Sequence, residues 1–266
     1  MADAFGSWQL ESLIAVGGLG EVWRARRGDE VAALKRLHSH LVRNDEARAL
    51  FATEQQLALA LPRHPGVVHA IDTGIADGQP YLVLELAAGA DLRRVVAPVA
   101  SRGDVAPVPT TLPRPRAIAI IAAACDAVAH LHAHGWIHGD VNPGNLIVDD
   151  ERTVLIDLGV ARRTGTGGTV RGTHAYMAPE QVRGGTWTPA TDVFALGVVL
   201  WELVSGKRLF HRGPTWLSMA AVVEAAVPAL PDAMLDAIAQ AALAKDPAAR
   251  LASAGELAAR LRDLGE

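Results

Sequence analysis

The chain has 266 residues, half of them hydrophobic and 20% charged. That composition excludes a disordered chain, and the length suits one two-lobed globular domain. Lys plus Arg is 25 against 29 Asp plus Glu, a formal net charge of −4, which gives no ground for a nucleic-acid partner or an anionic membrane surface.

The opening MADAFGSWQL lacks a basic region followed by an apolar run, so no leader peptide is expected. Two strands, Trp8–Ile14 and Glu21–Arg26, flank a glycine cluster. Arg27-Gly28-Asp29 is a turn, and Val31–Leu37 is a third strand. Leu50, Phe51, Glu54, Leu57, Ala58 and Leu61 recur at helical spacing, and Pro62 and Pro65 end that helix. Val67–Ile75 and Tyr81–Leu86 read as a hairpin around Asp77-Gly78.

From Ala97 to Pro115 the chain carries five prolines and no periodicity, the pattern of an irregular surface insertion. Helices are expected over Ala117–His134, Asp192–Ser205, Ala233–Ala244 and Ser253–Leu264, the last opened by a Ser253/Glu256 capping box. The apolar stretches Ala117–Cys125 and Val193–Leu200 fall short of the roughly 20 residues that cross a bilayer, so core helices and no membrane insertion are expected. Cys125 is the only cysteine. It is expected as a small buried hydrophobe, without a disulfide, in a cytoplasmic protein. The fold class is therefore α+β: a small antiparallel-sheet lobe with one helix over about 1–86, then a larger mainly helical lobe over about 87–266.

Gly17-Gly18-Leu19-Gly20 lies between two predicted strands, where glycines let backbone amides approach phosphate oxygens. Fifteen residues after Gly20, Val31-Ala32-Ala33-Leu34 ends in Lys35. A lysine at the end of an apolar strand needs an anionic partner. Phosphates of a nucleotide are one such partner, and Glu54, on the apolar face of the following helix, is the carboxylate that would orient it. Further on, His138-Gly139-Asp140-Val141-Asn142-Pro143-Gly144-Asn145 precedes Asp157-Leu158-Gly159, with two short apolar runs between. Phosphoryl transfer uses such groups. One carboxylate accepts the hydroxyl proton, while an amide and a second carboxylate hold a divalent cation on the phosphates.

With these motifs in this order, residues 8–264 resemble the protein-kinase superfamily. The resemblance implies Asp140, Lys35, Glu54 and Asn142 as catalytic-site residues, and Asn145 and Asp157 as ligands of Mg²⁺, with Mn²⁺ as an alternative. It implies ATP phosphates on Gly17, Gly18, Gly20 and Lys35, and adenine against backbone groups of Glu85 and Ala87, between Val22 and Ala33 on one side and Ile147 on the other. Leu84 falls in the gatekeeper place and Asp91 where ribose is held. Gly172-Thr173-His174-Ala175-Tyr176-Met177-Ala178-Pro179-Glu180 resembles the serine/threonine-type end of an activation segment. Arg250 is then the expected partner of Glu180. Protein substrates with Ser or Thr are implied, as is self-association for autophosphorylation at Thr164, Thr166, Thr169 or Thr173.

Three positions depart from the family pattern. Ala15 replaces the leading glycine, Gly139 the arginine before the catalytic aspartate, and Asn142 the lysine that neutralises the γ-phosphate. Gly139 implies weak dependence on activation-segment phosphorylation. Arg162 and Arg163 are candidates for the missing cation. Two other functions stay open on these grounds: a pseudokinase scaffold, and a small-molecule phosphotransferase of the aminoglycoside or choline kinase type, against which the complete Ala178-Pro179-Glu180 segment speaks.

Overall fold

A computed structural model describes residues 3–96, 111–167 and 171–264. It divides into two compact units, one of residues 1–87 with 157–159, the other of residues 88–156 with 160–266.

The first unit is one antiparallel sheet and one helix. The strands are β1 (Asp3–Phe5), β2 (Trp8–Val16), β3 (Gly20–Arg27), β4 (Glu30–Leu37), β5 (Ala70–Ala76) and β6 (Gln79–Glu85), in the order β1-β2-β3-β4-β6-β5. Two-residue alternation sorts β4: Ala32 and Leu34 enter a core with Phe5, Trp8, Leu10, Ala25, Tyr81 and Val83. The other face of β4 carries Ala33 and Lys35. Cross-strand register sets Val22 beside Lys35 and Leu84 beside Ala33. Helix α1 (Asp45–Ala60) starts on an Asn44 cap, whose Oδ1 accepts the Ala47 amide at 2.9 Å, with Asp45 and Glu46 in its first turn. Leu61 leaves the helix in extended conformation, as a residue before proline must. The hairpin starts at Ala70, not at Val67, because the Val67 amide closes a turn onto the His64 carbonyl.

The second unit is mainly helical: α2 (Leu92–Val96), α3 (Arg114–Ala133), α4 (Pro179–Val182), α5 (Pro189–Ser205), α6 (Thr215–Glu224), α7 (Ala233–Ala242) and α8 (Ala254–Arg262). Short strands β7 (Ala90–Asp91), β9 (Leu146–Val148) and β10 (Thr153–Leu155) form one ladder, while β8 (Trp136–Ile137) pairs with β11 (Arg162–Arg163). Most of the 97–115 insertion lies outside the described residues.

Both long helices begin three residues before their expected starts at Ala117 and Asp192. Pro115 and Pro189 sit in their first turns, where a missing N–H breaks no helical bond. Helix α3 thereby reaches 20 residues and is, by length and composition, apolar enough to cross a bilayer; in this fold one face of it is buried, Cys125 included. Every residue of α5 from Thr191 to Leu203 is buried, and Gly206 closes the helix at φ +64°. Gly197 lets α7 approach, since a Cβ there would lie 2.9 Å from that of Ala242. Helix α7 ends two residues short of Ala244. The Ser253 cap forms, its Oγ accepting the Glu256 amide at 3.1 Å, but Glu256 reaches back to the Ala252 amide at 2.9 Å, so the reciprocal bond falls one residue early.

The expected Glu180–Arg250 pair is present and bidentate, with both N···O distances 2.7 Å. Arg250 also donates to the carbonyls of Ala244, Ala190 and Lys245, and its side chain is wholly buried. Arg250→Ala would strand the Glu180 carboxylate and is expected to cost about 3–5 kcal/mol of stability. Thermal or urea unfolding checks this, with Glu180→Leu/Arg250→Met expected to lose less than the single variant.

Candidate active site

In the first unit, Lys35 Nζ lies 2.6 Å from Glu54 Oε1 and 2.6 Å from Asp157 Oδ1. Helical spacing buries Glu54 on the face that carries Phe51, Leu57 and Ala58. Burial disfavours charge on Lys35, but the carboxylates of Asp157 and Glu54 outweigh it, so its pKa is raised and the ammonium persists. Asp157 adopts φ +61°, rare outside glycine, and its Oδ1 also accepts the Gly159 amide at 3.3 Å.

The glycine turn is closed by the Gly17 amide on the Gly20 carbonyl at 2.8 Å. Gly18 has open space around it. Gly20 is buried, and a Cβ there would collide with the backbone of Arg36, so its lack of a side chain serves the sheet. His38 holds the same turn: its Nε2 lies 2.9 Å from the Gly17 carbonyl, and its amide donates to the Leu19 carbonyl at 2.9 Å. Ala15 pairs with Val22 in the strand leading into the turn. At the end of β6 the Glu85 amide is bonded to the His69 carbonyl at 2.9 Å, its side chain pairs with Arg63, and Ala87 closes the unit.

In the second unit the loop from His138 to Asn145 is set by one buried carboxylate. Asp192 accepts the amides of His138 and Gly139, each at 2.8 Å, and meets His132 Nε2 at 2.8 Å. Burial alone would raise its pKa; the hydrogen bond and charge of His132, the charge of His138 and the Gly139 amide outweigh this and hold it below the usual carboxylate value. Asn145 Nδ2 donates to the Asp140 carbonyl at 2.9 Å and to Asp140 Oδ2 at 3.2 Å, and Asp140 Oδ1 accepts the Thr173 amide at 2.7 Å. Asn142 is buried. Its Nδ2 donates to the Asp140 carbonyl at 3.0 Å, and its Oδ1 accepts the Gly144 amide at 2.9 Å. Asp91 caps α2 through the Arg94 amide and pairs with Arg94 Nε at 3.0 Å, while Ile147 sits beside it in the β7–β9 ladder.

Gly139 has a packing reason. It adopts φ +76°, and any Cβ would overlap the indole of Trp187. Arg162 stacks on that indole at 4.2 Å, and Arg163 stacks on Trp136 at 4.2 Å. Both arginines expected as candidates for the missing cation are thus occupied as aromatic caps. The segment is pinned further by the Gly165 amide on the Trp187 carbonyl, the Trp187 amide on the Thr166 carbonyl and the side-chain amide of Gln181 on the Gly139 carbonyl. Thr169 lies outside the described residues. The hydroxyl of Thr166 donates to the Arg163 carbonyl at 2.7 Å.

The side chains of Asn145 and Asp157 each carry an oxygen of the kind a divalent cation takes. Asn145 commits its Nδ2 to Asp140 and keeps its carboxamide oxygen as an acceptor, and the Asp157 side chain is 46% exposed. Among the described residues no group of three or more His, Cys, Asp or Glu could hold a metal.

A family model described as the protein kinase domain matches residues 8–257. The serine/threonine-protein kinase PknB of Mycolicibacterium smegmatis is 36% identical over 276 residues, covering 96% of this chain and 42% of PknB. PknJ of Mycobacterium tuberculosis is 32% identical over 278 residues, with 96% and 45% covered. The crystal structure of a single-residue mutant of the M. tuberculosis PknI kinase domain superposes with a TM-score of 0.75 at 26% identity, covering 100% of this chain and 98% of that one. The chain spans less than half the length of the curated relatives PknB and PknJ.

Two outcomes are expected. Asp192→Asn turns an acceptor of two backbone amides into a group with a donor facing one of them, at a cost of about 3 kcal/mol. Because the Asp192 pKa is depressed, its contribution is full above about pH 4 and is lost as pH falls through the folded value. Acid unfolding of wild type against Asp192→Asn at several pH values reads this, and parallel curves would remove Asp192 as the cause. Gly139→Arg, which restores the common family residue, is expected to lower the melting temperature because Trp187 fills its space; an unchanged melting curve would contradict the packing account.

Proposed function

This chain belongs to the protein kinase domain family, and on that premise we propose that it transfers the γ-phosphoryl group of Mg-ATP to serine and threonine hydroxyls of proteins. The observation that carries the reading is Lys35 Nζ, held at 2.6 Å from both Glu54 and Asp157. A half-buried lysine kept cationic and aimed by two carboxylates suits nucleotide phosphates, and the carboxylate of Asp157 suits their metal ion. The glycine turn and the Val22, Ala33 and Leu84 face of the sheet are proposed for the phosphates and the adenine.

Asp140 is the proton acceptor. As the substrate hydroxyl oxygen forms its bond to phosphorus, its proton passes to Asp140. The bond from phosphorus to the β-phosphate oxygen breaks with its electron pair, and ADP leaves. Asn145 holds the carboxylate of Asp140 through Nδ2 and offers its own oxygen to Mg²⁺, with Mn²⁺ as a substitute. The bound cation neutralises charge on the phosphates.

Serine/threonine specificity is supported by Gly172-Thr173, where the Thr173 amide meets Asp140 Oδ1, and by the buried Glu180–Arg250 anchor of the following helix. The names of the mycobacterial relatives agree with it. Self-phosphorylation at Thr164, Thr166, Thr169 or Thr173 and a reducing, cytoplasmic setting belong to the same proposal. The setting rests on one cysteine, buried and with its thiol pKa pushed up.

Incubation with Mg²⁺ and γ-labelled ATP, with and without a generic protein acceptor, is expected to label serine or threonine. Asp140→Asn is expected to lower the rate about 10²–10⁴-fold, and Lys35→Ala to abolish detectable label. Tight Mg-ATP binding without label on protein would sink the proposal.

A further inference from the structure

The transferred phosphoryl group brings negatively charged oxygens up to Asp140, itself an anion, and transfer needs positive charge placed there. The loop from His138 to Asn145 contains no lysine or arginine. Arg162 and Arg163 cap tryptophans, Arg94 pairs with Asp91, Arg208 closes on Glu202 at 2.8 Å, and Arg171 precedes Gly172 and Thr173, the latter meeting Asp140 through its amide.

Arg93 is different. It comes from α2, and its Nη2 lies 3.3 Å from Asn142 Oδ1, on the residue whose Nδ2 is bonded to the Asp140 carbonyl. Its guanidinium occupies the place where a side chain on residue 144 would stand, since a Cβ on Gly144 would overlap Nη2. The guanidinium thus lies against the backbone of Gly144 in the loop. Among the described residues the partner of Arg93 is a neutral carboxamide, so no carboxylate neutralises it, and the residue is exposed, with N–H groups left for an arriving anion.

We infer that Arg93, docked on Asn142, supplies positive charge beside the catalytic loop and offsets the charge of the γ-phosphoryl group during its transfer to the hydroxyl held by Asp140. The inference rests on the kinase reading above and adds a residue to it. Asn142 becomes the adaptor that fixes Arg93 relative to Asp140. The ligand is the terminal phosphate of ATP, so ADP, which lacks it, does not engage Arg93.

Arg93→Gln keeps a hydrogen-bond donor and removes the charge; Arg93→Lys keeps the charge; Asn142→Lys returns a cation to the loop itself. Arg93→Gln is expected to lower kcat about tenfold or more, Arg93→Lys to retain most of it, and Arg93→Gln/Asn142→Lys to recover most of the loss. A second readout needs no turnover. In the Asp140→Asn background, calorimetry with Mg-ATP and with Mg-ADP gives the preference for ATP, which Arg93→Gln is expected to reduce several-fold. An ATP preference and kcat both unchanged in Arg93→Gln would overturn the inference. A wild type that labels no protein would sink the kinase reading instead, while the ATP-to-ADP ratio would still decide the role of Arg93.

Discussion

The backbone amides of His138 and Gly139 point at one buried carboxylate, and the catalytic loop starts from that meeting. An ionised Asp192 inside an all-buried stretch of α5 is costly unless its lone pairs are filled. The two amides and His132 fill them. The carboxylate also sits in the first turn of α5, where the helix dipole favours negative charge. Asp140 and Asn145 leave the loop from that fixed point, and their mutual hydrogen bonds complete its shape.

The first unit solves the opposite problem, a cation in a poorly solvated place. Lys35 leaves the β4 face that also carries Ala33, and register with β3 puts Val22 beside it. Glu54 comes from α1 and Asp157 from a short segment that joins this unit although it is distant in sequence. Burial raises the pKa of Glu54, and the ammonium of Lys35 beside it works against that rise. The left-handed backbone of Asp157 shows that local preference yields there to the position of its carboxylate.

Much of this is legible in the chain. Apolar spacing puts Glu54 on the inner face of α1, and a lysine ending an apolar strand demands the partner it has. The glycine cluster and the Asp140, Asn145 and Asp157 constellation carry the expectation of phosphate chemistry in the order of residues alone. What stays hidden depends on contacts distant in sequence. The occupation of the Gly139 position by Trp187 joins residues with no shared periodicity. The docking of Arg93 on Asn142 arises from a five-residue helix beside a proline-rich stretch, where pattern is too short to read. His38 reads as a polar residue after a strand, yet it fastens the glycine turn. The prolines at the starts of α3 and α5 read as loop because, in sequence, a first-turn proline and a helix-breaking one look alike.

Trp187 and Gly139 also constrain how this sequence can change. A larger residue at 139 needs a smaller one at 187, but shrinking 187 removes the platform under Arg162 and loosens the segment bonded across it. The two positions compete for one space, so the effects of changes at them are not additive.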